Sequence, residues 1–574
     1  MALGYVPAVS APGRANPPTQ HRLRVHTTPH NARGGLAGAG APVARASYLR
    51  VSSWSVYAWG AIGLTTIFLA ITAWWLTQDR SIPIYDAGTQ LETALRYHNM
   101  LQAGNLLGPL NFKNVYPTLA HLVGAVAALI GGMSVAAPIV GENLVFVPLL
   151  ALGCYQTGRL LFGPAAGMLA VLFVLGSPLV ISMFHVFLLD GPLTALVAVS
   201  VWLVLASEDF SRPGVAALAG LTVGLGMNVK VQFALFLAGL LVIVLLRGGW
   251  RNWRGLVAFA VVALAVGLPW YIIHLSELGT MFELASSGGG TPPGNIPPTL
   301  STDNLMWYFW SVLNSQLLLP LFLLAVTGVL WTLVTVVRGR GRGCDRQAVR
   351  LELLAVGFLA WLVITFVTPH HDIRYGMPLL AYLAVIGTGW ITSAPRTPRL
   401  VGMLVLVLAV LANTLAINFG LGQEVKVALA GRLPNTEQTP DQIVLYSPSG
   451  FLVSAPKRDG NVPGLLQALH REGVETLAWS LEQGVPPSFS SQGLASLARM
   501  AGLSIALLHG IEFSPSPSTV TLLHEPVTTR SAPPCTRLSD GTGVWVARYD
   551  ASAGKPAFYC PTRRPQYYDP GGIG

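Results

Sequence analysis

Three ionisable residues and one short cluster stand out in a chain where only 10% of the 574 residues are charged. Asp86, Asp190, Lys230 and the run His370-His371-Asp372-Ile373-Arg374-Tyr375 each lie at the end of a long apolar stretch. Carboxylates take up protons, cations offset growing negative charge, and imidazoles with carboxylates are common ligands of divalent cations. Held at membrane depth, such a side chain costs about 2.5 kcal/mol or more on insertion scales, so it marks a pathway or a site.

The elements that must position these groups are membrane helices. Hydrophobic residues make up 52% of the chain, mean hydropathy is +0.55, and apolar runs recur near the length needed to cross a bilayer. A soluble globular protein is excluded. The net charge of +10 does not signal a nucleic-acid partner, because Arg and Lys fall in short clusters between apolar runs and form no single basic face. Residues 1–53 are rich in Arg, Gly, Pro and Ala, with no acidic residue, and read as a disordered, basic cytoplasmic tail. The expectation is that the first apolar run stays in the membrane as a start-transfer anchor.

Spans are expected near Trp54–Leu76, Pro138–Gly158, Ala165–Phe187, Leu193–Ala206, Val215–Val229, Val231–Leu246, Leu256–His274, Trp307–Val337, Leu351–Thr368, Pro378–Ile391 and Leu400–Ile417. That is about eleven crossings between residues 54 and 418. The short, Gly-rich stretch Pro117–Met133 is read as interfacial or re-entrant. With the N-terminus inside, Arg159, Arg212, Arg247–Arg254, Arg338–Arg350 and Arg396/Arg399 all fall in the cytosol, as the positive-inside rule requires. The same register puts Asp86, Asp190, Lys230, His370–Tyr375 and everything after Asn418 on the extracytoplasmic side.

Taken singly, each residue has a plainer reading. Asp190 precedes Gly191-Pro192 and equally suits a helix cap; Asp86 suits a solvated turn. Lys230 suits a snorkelling cation, and Arg374 with its histidines suits loop closure.

The sequence around them adds more. Tyr116-Pro117-Thr118-Leu119 looks like Y-P-P-L with Thr118 in place of a proline, and Gly158–Gly163 looks like G-R-x-L-F-G. Leu189-Asp190-Gly191-Pro192-Leu193-Thr194 is similar to L-D-x-P-L-T, and Gly220–Gly226 followed by Lys230 to G-L-x-x-G-L-x-x-L-T-K. Pro269-Trp270-Tyr271 follows, and Arg374-Tyr375 with Pro378 is similar to R-Y-x-x-P. In this order from Asp86 to Pro378, the motifs resemble the lipid-linked-sugar glycosyltransferases of the GT-C class. The group in question contains the protein O-mannosyltransferases and the enzymes that add aminoarabinose to lipid A. Two departures stand out: Ala87, not a second acid, follows Asp86, and no lysine-bearing P-P motif precedes Tyr116.

The resemblance implies a GT-C fold: an all-α polytopic membrane protein with interfacial helices, one of them the Pro117 helix lying along the membrane surface. It implies transfer of a sugar from a polyprenyl-phosphate donor to an acceptor hydroxyl on the extracytoplasmic face, with inversion. Asp86 has the position of the family's acid in the first outer loop and is the candidate general base. Asp190 would orient it, bind sugar hydroxyls or help hold a divalent cation. Lys230 and Arg374 would meet the leaving lipid phosphate, Arg374 through its planar fork. Tyr116, His370, His371, Asp372 and Tyr375 are candidate substrate-binding residues. A divalent cation fits the two aspartates with His370, His371 and Asp372 as ligand types, although their spacing matches no established zinc pattern.

The Ser276–Met306 loop, with its Ser286–Pro293 core, reads either as a mobile cover or as a plain disordered connector, and Trp270, Tyr271, Trp307, Tyr308 and Trp310 as an interfacial aromatic belt or, secondarily, a surface for sugar stacking. Residues 419–574 change to soluble composition. Apolar runs at Ile443–Tyr446, Thr476–Trp479 and Ser504–Leu508 alternate with helical patterns at Val462–Arg471 and Gln492–Ala501, giving a small extracytoplasmic α/β domain for acceptor recognition or shielding. Cys535 and Cys560 share that compartment and are a candidate disulfide; Cys154 and Cys344 fall in the membrane and cytosol. The competing function is a multi-pass transporter or glycolipid flippase, which calls for broken helices in pairs and polar residues near mid-span. The expected partners are the polyprenyl-phosphate sugar, a glycan, lipid or protein acceptor, and membrane lipids, with no nucleic acid.

Overall fold

A peptide group in hydrocarbon finds no water to bond, so apolar runs fold into helices that satisfy every N–H and C=O internally. The computed structural model describes residues 55–83, 85–279, 298–338, 345–367, 371–428, 442–450, 455–458, 462–471, 473–480, 491–508, 519–523, 536–537, 543–550, 555–559 and 566–567. The basic tail 1–53, Cys344, His370, Cys535, Cys560 and the Ser286–Pro293 core lie outside these residues.

The helices are α1 (Val56–Gln78), α2 (Tyr85–Gln102), α3 (Leu119–Gly131), α4 (Ala136–Phe162), α5 (Pro164–Leu175), α6 (Pro178–Met183), α7 (Asp190–Ala206) and α8 (Pro213–Met227). Then come α9 (Phe233–Leu246), α10 (Trp253–Ile273), α11 (Thr302–Ser311), α12 (Leu318–Arg338), α13 (Asp345–Val367), α14 (Leu379–Ser393) and α15 (Arg396–Phe419). Every predicted span contains a helix, and the chain is an all-α membrane protein with an α/β C-terminal region. Among the described residues six helices are long and apolar enough to cross a membrane: α1, α4, α10, α11 running on into α12, most of α13, and α15. The remaining apolar helices are 10–17 residues long. Ala165–Phe187 breaks in two because Gly176 caps α5 and Pro178 opens α6. Trp307–Val337 is interrupted by a π-helical turn at Val312–Leu317, after which Leu318 takes a positive φ of 58°. Helix α3 has 13 residues, about 20 Å of rise, short of the ~30 Å hydrocarbon core.

Packing is closest where side chains are smallest. Helices α8 and α10 meet at Gly220, where an added Cβ would lie 2.2 Å from the Phe259 carbonyl oxygen. The core is continuous from α4 through α7 to α14, with Phe146, Phe173, Phe184 and Phe233 almost wholly buried.

Antiparallel helices sort the charges to opposite ends. At one end Arg247 pairs with Asp209 and Glu352, Arg350 donates to the Leu161 carbonyl, and Arg212 pairs with Glu208. At the other lie Asp86, Asp190, Lys230 and Arg374. The C-terminal region sits at this second end: the Arg80 and Lys457 backbones are hydrogen-bonded at 2.8 Å, and Asn314 bonds to Gln442 and Val444.

In that region β1 (Val425–Ala428) pairs antiparallel with β2 (Gln442–Tyr446). A second sheet has the order β4-β3-β5-β7-β8-β9, where β3 (Thr476–Ser480) runs parallel to β4 (Ser504–Leu508) and β5 (Thr519–Leu523). Strands β7 (Gly543–Asp550), β8 (Lys555–Tyr559) and β9 (Gln566–Tyr567) continue it antiparallel, with β6 (Thr536–Arg537) on β7. Two helices, α16 (Val462–Arg471) and α17 (Ser491–Met500), fall where the sequence pattern put them, and α17 is the crossover between β3 and β4.

Candidate active site

Asp190 is the first residue of α7 and is 1% exposed. Its carboxylate does not cap the helix; it accepts a hydrogen bond from Lys230 Nζ at 2.9 Å, while Leu189 takes the cap position without a side-chain bond. Lys230 is buried too, in the non-helical link between α8 and α9, so it does not snorkel. Two bonds fix that link: Tyr271 Oη donates to the Met227 carbonyl at 2.6 Å, and the Leu119 amide donates to the Asn228 carbonyl at 3.0 Å. The second bond ties the Y-P-T-L segment directly to the Lys230 turn. Burial works against the Lys230 ammonium, but the Asp190 carboxylate outweighs it and holds the amine above its ordinary value. Its Nζ also stands 5.1 Å from the Tyr375 ring centre.

Arg374 lies in a short 3₁₀ turn, Ile373–Gly376, capped by Asp372, whose carboxylate accepts the Arg374 backbone N–H at 2.9 Å. The Arg374 Nε donates to both Asp372 oxygens at 3.0 Å, and Nη2 donates to Asp372 and, at 2.8 Å, to Asp86. No hydrogen bond runs from Arg374 Nη1 to another described residue. Asp86, in the first turn of α2, keeps a half-exposed side chain. Tyr116 completes the convergence: it is near enough for Lys230, Asp86, Asp190 and Arg374 all to act on its phenol, which burial pushes up.

His371 is buried, with its ring 5.0 Å from Trp307 and 5.3 Å from Tyr308. Among the described residues no three His, Cys, Asp or Glu side chains form a metal-binding group. The expected aromatic belt is instead interior packing: Trp270, Trp307, Tyr308 and Trp310 are all under 5% exposed, and Trp270 stacks on His274. Trp59, Trp250 and Trp253 face outward, and the last two, at the opposite end, each lie under an arginine.

Two residues of the site escaped the sequence reading. Glu142, about two turns into α4, is completely buried beside Gly191 and within electrostatic reach of Asp190. No side chain among the described residues bonds to either of its oxygens, and the Leu188 backbone lies close enough to act on the carboxyl. A carboxyl inside the apolar run Pro138–Gly158 was itself the signal. Gln316, in the π turn, donates to the Ile373 carbonyl at 2.8 Å and so fastens the turn that carries Arg374.

Beside this cluster an apolar groove of about 590 Å³ runs between α12, α13 and α14. It extends from Phe309 and Leu379, close to the Arg374 turn, down to Leu333 and Leu351, and its walls are almost entirely hydrocarbon.

Residues 114–273 match the model of the dolichyl-phosphate-mannose-protein mannosyltransferase family. No curated protein matches the chain. Among solved structures the chain is similar to ArnT from Cupriavidus metallidurans bound to undecaprenyl phosphate, at 17% identity and a TM-score of 0.47 over 62% of this chain and 64% of that one. It is also similar to the oligosaccharyltransferase of Archaeoglobus fulgidus tethered with an acceptor peptide, at 13% identity and a TM-score of 0.39, over 63% of this chain and 55% of that one. The chain thus spans less than two thirds of the length of each. Over residues 114–273, which carry Tyr116, Asp190 and Lys230, the family match bears out the resemblance to GT-C class glycosyltransferases.

Proposed function

We propose that this membrane protein is a glycosyltransferase that moves a sugar from a polyprenyl-phosphate donor to an acceptor hydroxyl, with inversion, on the extracytoplasmic face. One observation carries the reading: two buried cations, Lys230 and Arg374, and the carboxylates Asp86 and Asp190 converge at one end of the helices, beside an apolar groove. The family model's name, with its dolichyl-phosphate-mannose donor, supports the same donor class.

The leaving group is a lipid phosphate whose negative charge grows as the glycosidic bond breaks. Fixed cations in a water-poor site stabilise that growth more than water would. Arg374 Nη1 offers N–H groups to a phosphate oxygen without surrendering its bonds to Asp372 and Asp86, and Lys230 supplies a compact second charge. The groove would take the lipid chain. Asp86, half-exposed and therefore within reach of an acceptor, would take the hydroxyl proton as the oxygen attacks the anomeric carbon. A single displacement of this kind inverts the centre. Asp190 holds Lys230 and would orient the sugar. The basic loops at the far end, which the positive-inside rule assigns to the cytosol, support a site on the outer face. A transporter would need its ionisable groups along a crossing route, whereas Asp86, Asp190, Lys230 and Arg374 gather at a single end.

The test is sugar transfer by the purified chain from a synthetic polyprenyl-phosphate sugar. Asp86→Asn should abolish turnover while donor binding persists; undiminished transfer by that variant would refute the assignment.

A further inference from the structure

The segment that carries Asp86 is gripped from outside the helical domain. Gly493, in α17, packs on the Pro83 carbonyl so closely that a Cβ there would lie 1.9 Å from the oxygen. Ser496 Oγ donates to the Gly88 carbonyl at 3.2 Å. Arg499 Nε donates to both Glu92 oxygens, at 3.0 and 3.1 Å, and its Nη2 to Oε1 at 2.6 Å. Glu92 is 7% exposed and also accepts from Arg96 at 2.9 Å. Contacts at residues 83, 88 and 92 thus bracket Asp86 on both sides along the chain.

Helix α17 is well placed to act as a jig. As the crossover between parallel β3 and β4, its register is set by the sheet, and its inner face buries Leu497 and Ala498. Apolar packing alone would hold α2 in place but leave its rotation about its own axis loosely set. A two-oxygen Arg–carboxylate pair fixes that rotation, because the planar fork meets the carboxylate in one orientation. Rotation matters here because half-exposed Asp86 is not confined by its own burial. On the far side of α2, Gln90 Oε1 accepts from His121 Nε2 at 2.6 Å, so the helix is held from two directions.

We propose that the C-terminal α/β domain is part of the catalytic apparatus, with Arg499 a positioning residue that acts through Glu92 to set the orientation of α2 and so aim Asp86. This rests on Asp86 being the base. In the full-length chain in nanodiscs, Arg499→Leu should lower kcat about tenfold or more while KM for the lipid donor stays within about twofold, since Lys230 remains held by Asp190 and Arg374 by Asp372, neither of which lies on α2. Hydrogen exchange should quicken in residues 85–92 and stay unchanged in α7 and α8. Arg499→Lys, able to make one of the bonds, should recover part of kcat. The proposal is overturned if Arg499→Leu keeps wild-type kcat, or if exchange quickens throughout the helical domain, which is simple loss of stability. Should Asp86→Asn keep its activity, the proposal falls with its premise; should Asp86→Asn be inactive while Arg499→Leu is normal, the clamp alone is refuted.

Discussion

Lys230 Nζ and Asp190 Oδ1 are 2.9 Å apart, joined across 40 residues of sequence, with both side chains almost wholly excluded from solvent. Breaking such a pair strands a buried charge, at a cost of about 3–5 kcal/mol. Lys230→Met and Asp190→Asn should each lower the unfolding temperature in detergent. The double variant should be more stable than Lys230→Met, since no bare carboxylate remains. Transfer should be lost in all three, which separates the pair's structural role from its proposed catalytic one.

Arg374 binds Asp372 and Asp86 together through a planar fork that lysine lacks. Arg374→Lys, though it conserves charge, should lower kcat by roughly 10²-fold. Steady-state kinetics with a synthetic donor reads this directly; a near-normal kcat would show that charge alone suffices.

Acid should expose the same network. Burial would raise the Asp372 carboxyl, but the Arg374 guanidinium and its hydrogen bonds prevail and hold it below its ordinary value. A carboxyl depressed in the folded state adds stability that is present above its unfolded value of about 3.9 and lost as pH falls through the folded one. As pH falls below about 4 the unfolding temperature of the wild type should therefore fall more steeply than that of Asp372→Asn. Parallel curves would count against the pairing.

Gln316 holds the Arg374 turn by a bond to the Ile373 carbonyl. Gln316→Leu forfeits it and leaves the acceptor unmet, for about 1–3 kcal/mol. The expected signature is a raised KM for the lipid donor with donor affinity falling in parallel, measured by calorimetry.

The groove gives a size test. Gly357 lines it, facing Tyr382, and Gly357→Trp would fill much of the space at that level. KM should rise for a long-chain donor and remain unchanged for a short-chain analogue. Equal effects on both would place the lipid elsewhere.

Much of this was legible residue by residue. Asp190 and Lys230 were visible because charge beside apolar runs is expensive, and the motif order linked them to Tyr116 and Arg374. Helix α16 and strands β2, β3 and β4 were visible as period and β-branched runs. By contrast, the break after Leu175 and the π turn at Val312–Leu317 lie inside long apolar runs, where Gly176-Ser177-Pro178 and Asn314-Ser315-Gln316 are the local marks of the interruptions. Glu142 was in plain view in such a run and was passed over.

By itself the sequence determined that the chain is helical and membrane-embedded, where its basic loops fall, and which few side chains were too costly to be incidental. Those are properties of composition and of periods within one helix, which neighbours in the chain set. Tertiary structure alone decided the partners. Arg374 meets Asp86 across 288 residues, and Arg499 meets Glu92 across 407. No local pattern encodes such a pairing, because it arises only when helix ends and a separate α/β layer are packed against one another.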